Sequence, residues 1–235
     1  MAIADALKLV HDNIIHSAAK AGRNPDLIKL IAVSKTVDIQ SIKEAIRAGV
    51  TRLGENRVQE AREKITELRS QSSDLGIEWH LIGSLQRNKA KTAVQLFDLI
   101  HSVDSVSLAD ELNRHAGILG KTQRILVQVK LAEEQTKHGA DEADIMALLD
   151  KIMELDNIAL QGLMTIPPFF DDPEEARPYF KRLRDIADTA IKKGYPVKEL
   201  SMGMSNDYQV AIEEGATMIR VGTFIFGERN YSSPG

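Results

Sequence analysis

The chain contains no cysteine. This excludes thiolate nucleophiles, thiolate metal sites, iron–sulfur ligation and disulfides together, and leaves a lysine as the strongest candidate nucleophile. Lys35 follows Ile31 and Val33 at a spacing of two, so in a strand all three side chains share one face. If Ile31 and Val33 fill an interior, Lys35 points into its mouth, partly desolvated. Burial lowers a lysine's pKa and makes the neutral amine available to attack a carbonyl, which is Schiff-base chemistry. Taken alone, the same residue also reads as a solvated lysine at the start of a loop. Near the other end, residues 218 to 227 read Met-Ile-Arg-Val-Gly-Thr-Phe-Ile-Phe-Gly. A strand there runs into Gly222, which lets backbone approach a ligand, and Thr223 can open a short helix whose N–H groups suit a phosphate. The turn Ser201-Met202-Gly203-Met204-Ser205-Asn206-Asp207 offers hydroxyls and amides to the same anion, and Ser205 or Asp207 also suits the cap of a following helix. Arg220 lies inside the last strand. Turned inward it requires an interior partner, and turned outward it would pair with a helix carboxylate. An inward lysine and a phosphate cup together suggest a phosphorylated aldehyde held covalently. Pyridoxal phosphate is the obvious candidate, and a sugar-phosphate aldolase the competing one.

These residues need a frame that brings both ends of the chain to one place. Short apolar runs at Leu30–Val33, around Leu53, Trp79–Ile82, Leu99–Val103, Ile125–Leu131, Leu160–Ile166, Leu200–Met202 and Met218–Val221 are separated by amphipathic stretches. The longest of these are expected to form helices over 39–48, 58–68, 88–96, 105–119, 142–155 and 174–193. A leading helix precedes them, with Ile3, Leu7, Val10, Ile14 and Ala18 on one face and Gly22 and Pro25 as its stop. Eight strand–helix units after one helix predict an α/β fold, a single (β/α)8 TIM barrel spanning 1–235 as one domain. A doubly wound sheet would carry a glycine-rich turn after its first strand, and residues 34–38, Ser-Lys-Thr-Val-Asp, have none. The length of 235 residues, with 43% hydrophobic and 27% charged, suits one barrel with a full core. Thirty basic against 34 acidic side chains give a net charge of −4, which argues against a nucleic-acid or membrane-surface partner. No stretch approaches the roughly 20 apolar residues of a membrane span, and the N-terminus has no signal-peptide pattern. A cytoplasmic protein is expected.

Several ordered motifs resemble a known family, the pyridoxal phosphate homeostasis proteins (YggS-like or PROSC), which are similar to the barrel domain of alanine racemase. They are Ala32-Val33-Ser34-Lys35, Leu53-Gly54-Glu55-Asn56 with Gln59-Glu60, Trp79-His80-Leu81-Ile82-Gly83 with Leu85-Gln86 and Asn88-Lys89, Gly162-Leu163-Met164-Thr165-Ile166-Pro167, and the run Leu200-Ser201-Met202-Gly203-Met204-Ser205 continued by Arg220-Val221-Gly222-Thr223 and Ile225-Phe226-Gly227. The resemblance covers nearly the whole chain. It implies that Lys35 forms the internal aldimine with pyridoxal phosphate, that Ser205, Gly222 and Thr223 hold the phosphate, that Arg220 faces the pyridine nitrogen and that Asn56 lies close to the ring. A guanidinium cannot accept the pyridinium proton, so the ring nitrogen would stay largely unprotonated and the cofactor a poor electron sink.

The sequence departs from the racemase plan by stopping soon after Gly227. Tyr179, Tyr195, Tyr208 and Tyr231 do not lie in a second domain that could bring another acid–base group, so racemisation is expected to be weak or absent. Arg57 stands where the family often has an aromatic residue. His80, beside Trp79 in an apolar strand, reads as a core histidine or one standing behind the site residues, and not as a metal ligand or base. Glu133, Glu134 and Lys137-His138-Gly139 read as a polar loop, either a solvated turn or one in which Lys137 offers a second amine to accept the aldehyde during cofactor release. Arg87, Lys89 and Lys91 read as a solvated basic face. The expectation is a monomeric protein that binds pyridoxal phosphate, holds it for intracellular homeostasis and delivers it to apo-enzymes. The alternative is an enzyme, either a racemase or lyase using the cofactor or a Schiff-base aldolase.

Overall fold

A computed structural model describes residues 1–71, 76–132 and 138–227. The apolar runs become parallel strands β1 (Lys29–Val33), β2 (Arg52–Glu55), β3 (Glu78–Leu81), β4 (Leu99–Val103), β5 (Gln123–Lys130), β7 (Ile158–Met164), β8 (Glu199–Met204) and β9 (Met218–Val221). Each pairs with the next in this order, and β9 pairs back with β1 (Ile31 beside Arg220), closing a barrel of eight strands. The first and last strands are thereby neighbours, which brings Lys35 and Gly222 to the same rim. An additional short strand, β6 (Ala140–Asp141), extends β5 through Val129 and Ala140. It escapes sequence reading because two residues are too few to show a period.

The barrel is sealed by two apolar layers. Ile31, Leu99, Leu126, Met164 and Met218 fill the interior, as period-two alternation from Ile31 requires. A larger layer lies between strands and helices. The helices are α1 (Ile3–Lys20), α2 (Ile39–Arg47), α3 (Val58–Gln71), α4 (Ala90–Leu96), α5 (Val106–Ile118), α6 (Ile145–Met153), α7 (Arg177–Lys192), α8 (Tyr208–Glu213) and the four-residue α9 (Thr223–Phe226). Their inward stripes, such as Leu108, Ala109, Leu112 and Ala116 on α5, are buried because helices with one apolar face must cover a sheet. Asp38 caps α2 by accepting the Ser41 N–H at 2.9 Å. Ser105 occupies the cap position of α5, but its side chain makes no cap bond. The leading helix packs on α8, where Asn13 donates to the Tyr208 hydroxyl at 2.8 Å and Arg23 to the Ile212 carbonyl at 2.6 Å.

β8 runs past the Leu200–Met202 segment expected from sequence. Three steps along it, Ser201 to Met204, match two along β9, Met218 to Arg220, so β8 carries one extra residue as a bulge. Gly203 sits there at φ 91°. An added Cβ would lie 2.6 Å from that of Ala211 and 2.9 Å from the Tyr208 Cα, so glycine is required both for the conformation and for the approach of α8. Among the described residues no helix is long and apolar enough to cross a membrane.

Candidate functional site

A cavity of about 620 Å³ opens at the C-terminal ends of the strands, and Lys35, Asn56, Ser205, Arg220, Gly222 and Thr223 all line it. Sequence positions 170 or more apart therefore meet at one rim, where barrels place their chemistry. Val33 also lines the cavity, above the fully buried Ile31, so the inward face from Ile31 to Lys35 is continuous.

The backbone around Lys35 is clamped from both sides. On its N-terminal side, Ser34 is fully buried; its hydroxyl donates to Glu55 Oε1 at 2.7 Å and its carbonyl accepts from Lys64 Nζ. On the C-terminal side, the Thr36 N–H donates to Glu60 Oε1. Thr36 adopts φ 60°, the one positive φ outside glycine among the described residues. That conformation costs a β-branched residue about 1–3 kcal/mol and persists only where surroundings over-determine it. Lys64 joins the two sides, donating to Glu55 at 2.8 Å and to Glu60 at 2.6 Å. Burial raises the Glu55 pKa, with Lys64 and Ser34 opposing. Burial also works to raise that of Glu60, but hydrogen bonds from Lys64 and the Thr36 amide outweigh it and the net shift is downward.

The opposite wall is the loop between β8 and α8 together with the start of α9. Asp207 Oδ1 accepts the Met204 N–H at 2.6 Å, and the Asp207 N–H returns to the Met204 carbonyl at 3.1 Å. This closed turn presents Ser205, whose hydroxyl accepts the Gly222 N–H at 3.2 Å. The first N–H groups of α9 have no carbonyl within the helix to meet, and Gly222 and Thr223 face the cavity. Hydroxyl, amides and helix start together make a wall of neutral polar groups whose chemistry suits an anion. Asn206 donates to the Phe170 carbonyl at 2.9 Å, tying this wall to the loop after β7, whose Phe169 is 75% exposed at the cavity edge.

Of the two orientations open to Arg220, the structure has the inward one, 3% exposed. Its interior partners are neutral: NH1 donates to Ser201 Oγ at 2.5 Å and NH2 to the Thr165 carbonyl at 2.9 Å. Desolvation brings its pKa down to about 10, with the Asp207 carboxylate opposing, so it remains a cation at neutral pH. Behind it, His101 Nδ1 lies 2.9 Å from Ser201 Oγ, and His101 Nε2 lies 2.9 Å from His80 Nδ1. His80 is thus a buried core residue, as its neighbours in sequence suggested.

Sequence reasoning missed Glu55, Glu60 and Lys64 as a positioning group, although Glu60 and Lys64 stand at the i,i+4 spacing that signals a helical ion pair. It also missed His101, which carries no spacing signal because its partners are 21 and 100 residues away. Arg87, Lys89 and Lys91 are exposed as expected, although 87–89 form a 3₁₀ turn and α4 starts only at Ala90. Glu133, Glu134 and Lys137 lie outside the described residues, as does Tyr231.

Lys35, Arg220, Asn56 and the Ser205–Gly222–Thr223 wall around one cavity are the kinds of group that a planar phosphorylated aldehyde would need. The sequence matches the family model of the alanine racemase N-terminal domain over residues 8–230. The pyridoxal phosphate homeostasis protein of Aquifex aeolicus is 43% identical over 97% of this chain and 98% of its own length. That of Escherichia coli K12 is 39% identical, with 98% of each chain covered. The solved structure of PipY from Synechococcus elongatus with pyridoxal phosphate bound is similar at a TM-score of 0.83 and 41% identity, covering 96% of this chain and all (100%) of that one. With relatives this similar along nearly their entire lengths, the chain belongs to the family of pyridoxal phosphate homeostasis proteins, built on the barrel of the alanine racemase N-terminal domain.

Proposed function

We propose that this protein binds pyridoxal phosphate in the barrel mouth, with Lys35 supplying the amine that holds its aldehyde covalently, and that its role is to keep the cofactor available and limit its free aldehyde. The observation that carries the reading is the convergence of Lys35, Arg220 and the Ser205–Gly222–Thr223 cup on one cavity. Lysine is the residue that captures an aldehyde reversibly. The cup would supply neutral donors for phosphate, Asn56 would border the ring, and Arg220, which lines the cavity, would offer its remaining N–H groups to the ring nitrogen. When bound, the cofactor brings an aldehyde and a conjugated ring able to accept electrons. Arg220, a donor without a lone pair to offer, favours the unprotonated ring nitrogen and so weakens that capacity. Holding the cofactor is favoured over turning substrates over. In the same reading the protein acts in the cytoplasm as one barrel domain and a monomer, and passes its cofactor to apo-enzymes.

The test is an absorption spectrum of purified protein after incubation with pyridoxal phosphate. A band near ~420 nm, the order expected of the cofactor bound through an amine, should appear in the wild type and be lost in Lys35→Ala. Mixing the loaded protein with an apo-enzyme should restore that enzyme's activity. A protein that stays colourless and binds a sugar phosphate instead would overturn the reading, and rapid turnover of an amino acid would replace it with the enzymatic one.

A further inference from the structure

Arg220 makes no carboxylate hydrogen bond and instead meets the start of a buried, neutral polar column inside the barrel. Arg220 NH1, Ser201 Oγ, His101 and His80 follow one another at 2.5, 2.9 and 2.9 Å. All four residues are at most 3% exposed. Below His80, at the N-terminal ends of the strands, the Glu78 carboxylate stands 3.9 Å from His80 Nε2 and pairs with Arg52 and Arg124, each at 3.0 Å. The column thus spans the barrel from the rim cavity to its opposite end.

One direction of hydrogen bonding serves every contact from Arg220 to His80. A guanidinium only donates, so Ser201 Oγ accepts from Arg220. In that direction the serine's one proton is directed to His101 Nδ1, 2.9 Å away. With Nδ1 accepting, neutral His101 carries its proton on Nε2 and donates to His80 Nδ1. His80 in turn carries its proton on Nε2, directed toward Glu78. In this direction each group from Arg220 to His101 satisfies its neighbour and donates away from Arg220, while His80 Nε2, 3.9 Å from Glu78, ends the run without a hydrogen bond. Both imidazoles are held neutral: desolvation lowers the pKa of His101, helped by His80 and Arg220, and desolvation lowers that of His80 against the pull of Glu78. Reversing a single member would set two donors or two acceptors face to face in a dry interior, at the full cost of an unmade buried bond.

We propose that His101 and His80, acting through Ser201, are positioning residues that fix the Arg220 guanidinium and thereby the hydrogen bond it offers to the ring nitrogen of bound cofactor. This rests on the placement of pyridoxal phosphate given above. Thr165 holds only one of the two guanidinium NH2 groups, through its carbonyl, and a single bond leaves the plane free to turn about it. The serine bond, itself oriented by the histidines, stops that rotation.

The experiment loads wild type, Ser201→Ala, His101→Leu, His101→Gln and Arg220→Lys with pyridoxal phosphate carrying an isotopically labelled ring nitrogen. The nitrogen resonance and the dissociation constant are then read. Ser201→Ala, which removes one hydroxyl, and His101→Leu should retain the covalent band, shift the resonance and weaken binding by about tenfold, the low end of the scale of one hydrogen bond to a charged group. His101→Gln, which can accept at one end of its amide and donate at the other, should return the resonance toward wild type. A merely structural histidine would lower stability without moving the nitrogen signal. If His101→Leu does not fold, Ser201→Ala decides. An unmoved resonance and affinity in Ser201→Ala overturn the column's role, while Arg220→Lys still shifts the signal. If Arg220→Lys also leaves it unmoved, the ring nitrogen does not face Arg220, and the placement of the cofactor fails with it.

Discussion

Replacing Lys64 by Met tests whether a buried cation organises the Lys35 backbone. Lys64 is 10% exposed at its side chain and Glu55 fully buried, so the substitution strands a carboxylate inside the barrel wall together with the Ser34 carbonyl and half of the Glu60 pairing. Breaking a buried pair by removing one partner costs about 3–5 kcal/mol. Glu55 has a means of relief. Burial already raises its pKa above the ordinary carboxylate value, and without Lys64 that value rises further. A carboxyl whose folded pKa is raised binds its proton more tightly folded than unfolded, so its stabilising contribution is present at low pH and lost as pH rises through the folded value. The linkage slope is about 1.4 kcal/mol per pH unit for one proton. Urea unfolding from about pH 5 to about pH 8 should therefore show a gap between wild type and Lys64→Met that widens with pH and reaches about 3 kcal/mol near neutrality. Adding Glu55→Gln to the variant removes the stranded charge and should recover more than half of the loss. The cofactor supplies an independent reading: with Ser34 and Thr36 released, affinity for pyridoxal phosphate should fall by about tenfold, equal to ~1.4 kcal/mol. A gap below about 0.5 kcal/mol, or one that narrows as pH rises, would show that Lys64 holds nothing of consequence in place.

The other expectations concern the opposite wall and the core. Asp207→Ala deprives the Met204 N–H of its acceptor and loosens the turn that presents Ser205, so dissociation of pyridoxal phosphate should quicken by about tenfold while binding of pyridoxal, without phosphate, changes little; stopped-flow absorbance on both compounds checks this. Gly203→Ala should destabilise by more than about 2 kcal/mol in urea unfolding, because φ 91° and the approach of α8 both exclude a Cβ. Ile31→Ala, in the fully buried interior layer, should cost about 2–5 kcal/mol by the same measurement. Tyr208→Phe removes the hydroxyl that Asn13 meets at 2.8 Å and should lower stability by about 1 kcal/mol, with the leading helix exchanging its amide protons faster than the barrel strands.

The fold was legible because its signal is local and repeated. Each strand is short and apolar, each helix has an amphipathic stripe, and eight such units leave few closed arrangements. Lys35 was legible because it continues the spacing of two set by Ile31 and Val33 and lines the same cavity as Val33, and the glycine turn at 222 announced backbone meant to approach something. Neither β6 nor the β8 bulge was legible. A two-residue strand has no period, and a bulge changes register without changing composition, so Gly203 reads as a stop when the strand in fact continues. The polar partners were hidden for a different reason. Ser34 and Glu55 are 21 residues apart, and His101 and Ser201 are 100 apart; contacts of that kind are set by which strands become neighbours, a property of closure and not of any sequence window.

The two walls of the cavity treat their buried cations differently, and the difference bears on what the site can do. Lys64, behind Lys35, is matched by Glu55 and Glu60, so its charge is spent on holding backbone. Arg220 meets a hydroxyl and a carbonyl, and the buried carboxylate nearest in influence, Asp207, directs an oxygen to the Met204 N–H. Its charge is therefore largely uncompensated by its own hydrogen bonds and projects toward the cavity, where a phosphorylated ligand is anionic. A carboxylate in place of Arg220 would invite a proton onto a ring nitrogen and promote electron withdrawal; a cation with only donors opposes that protonation. The neutral column beneath reinforces the choice, since every bond in it points away from Arg220 and none returns a proton to it. On the proposed placement of the cofactor, the same arrangement that suits capture of an anionic aldehyde would oppose the proton transfers that consume a substrate.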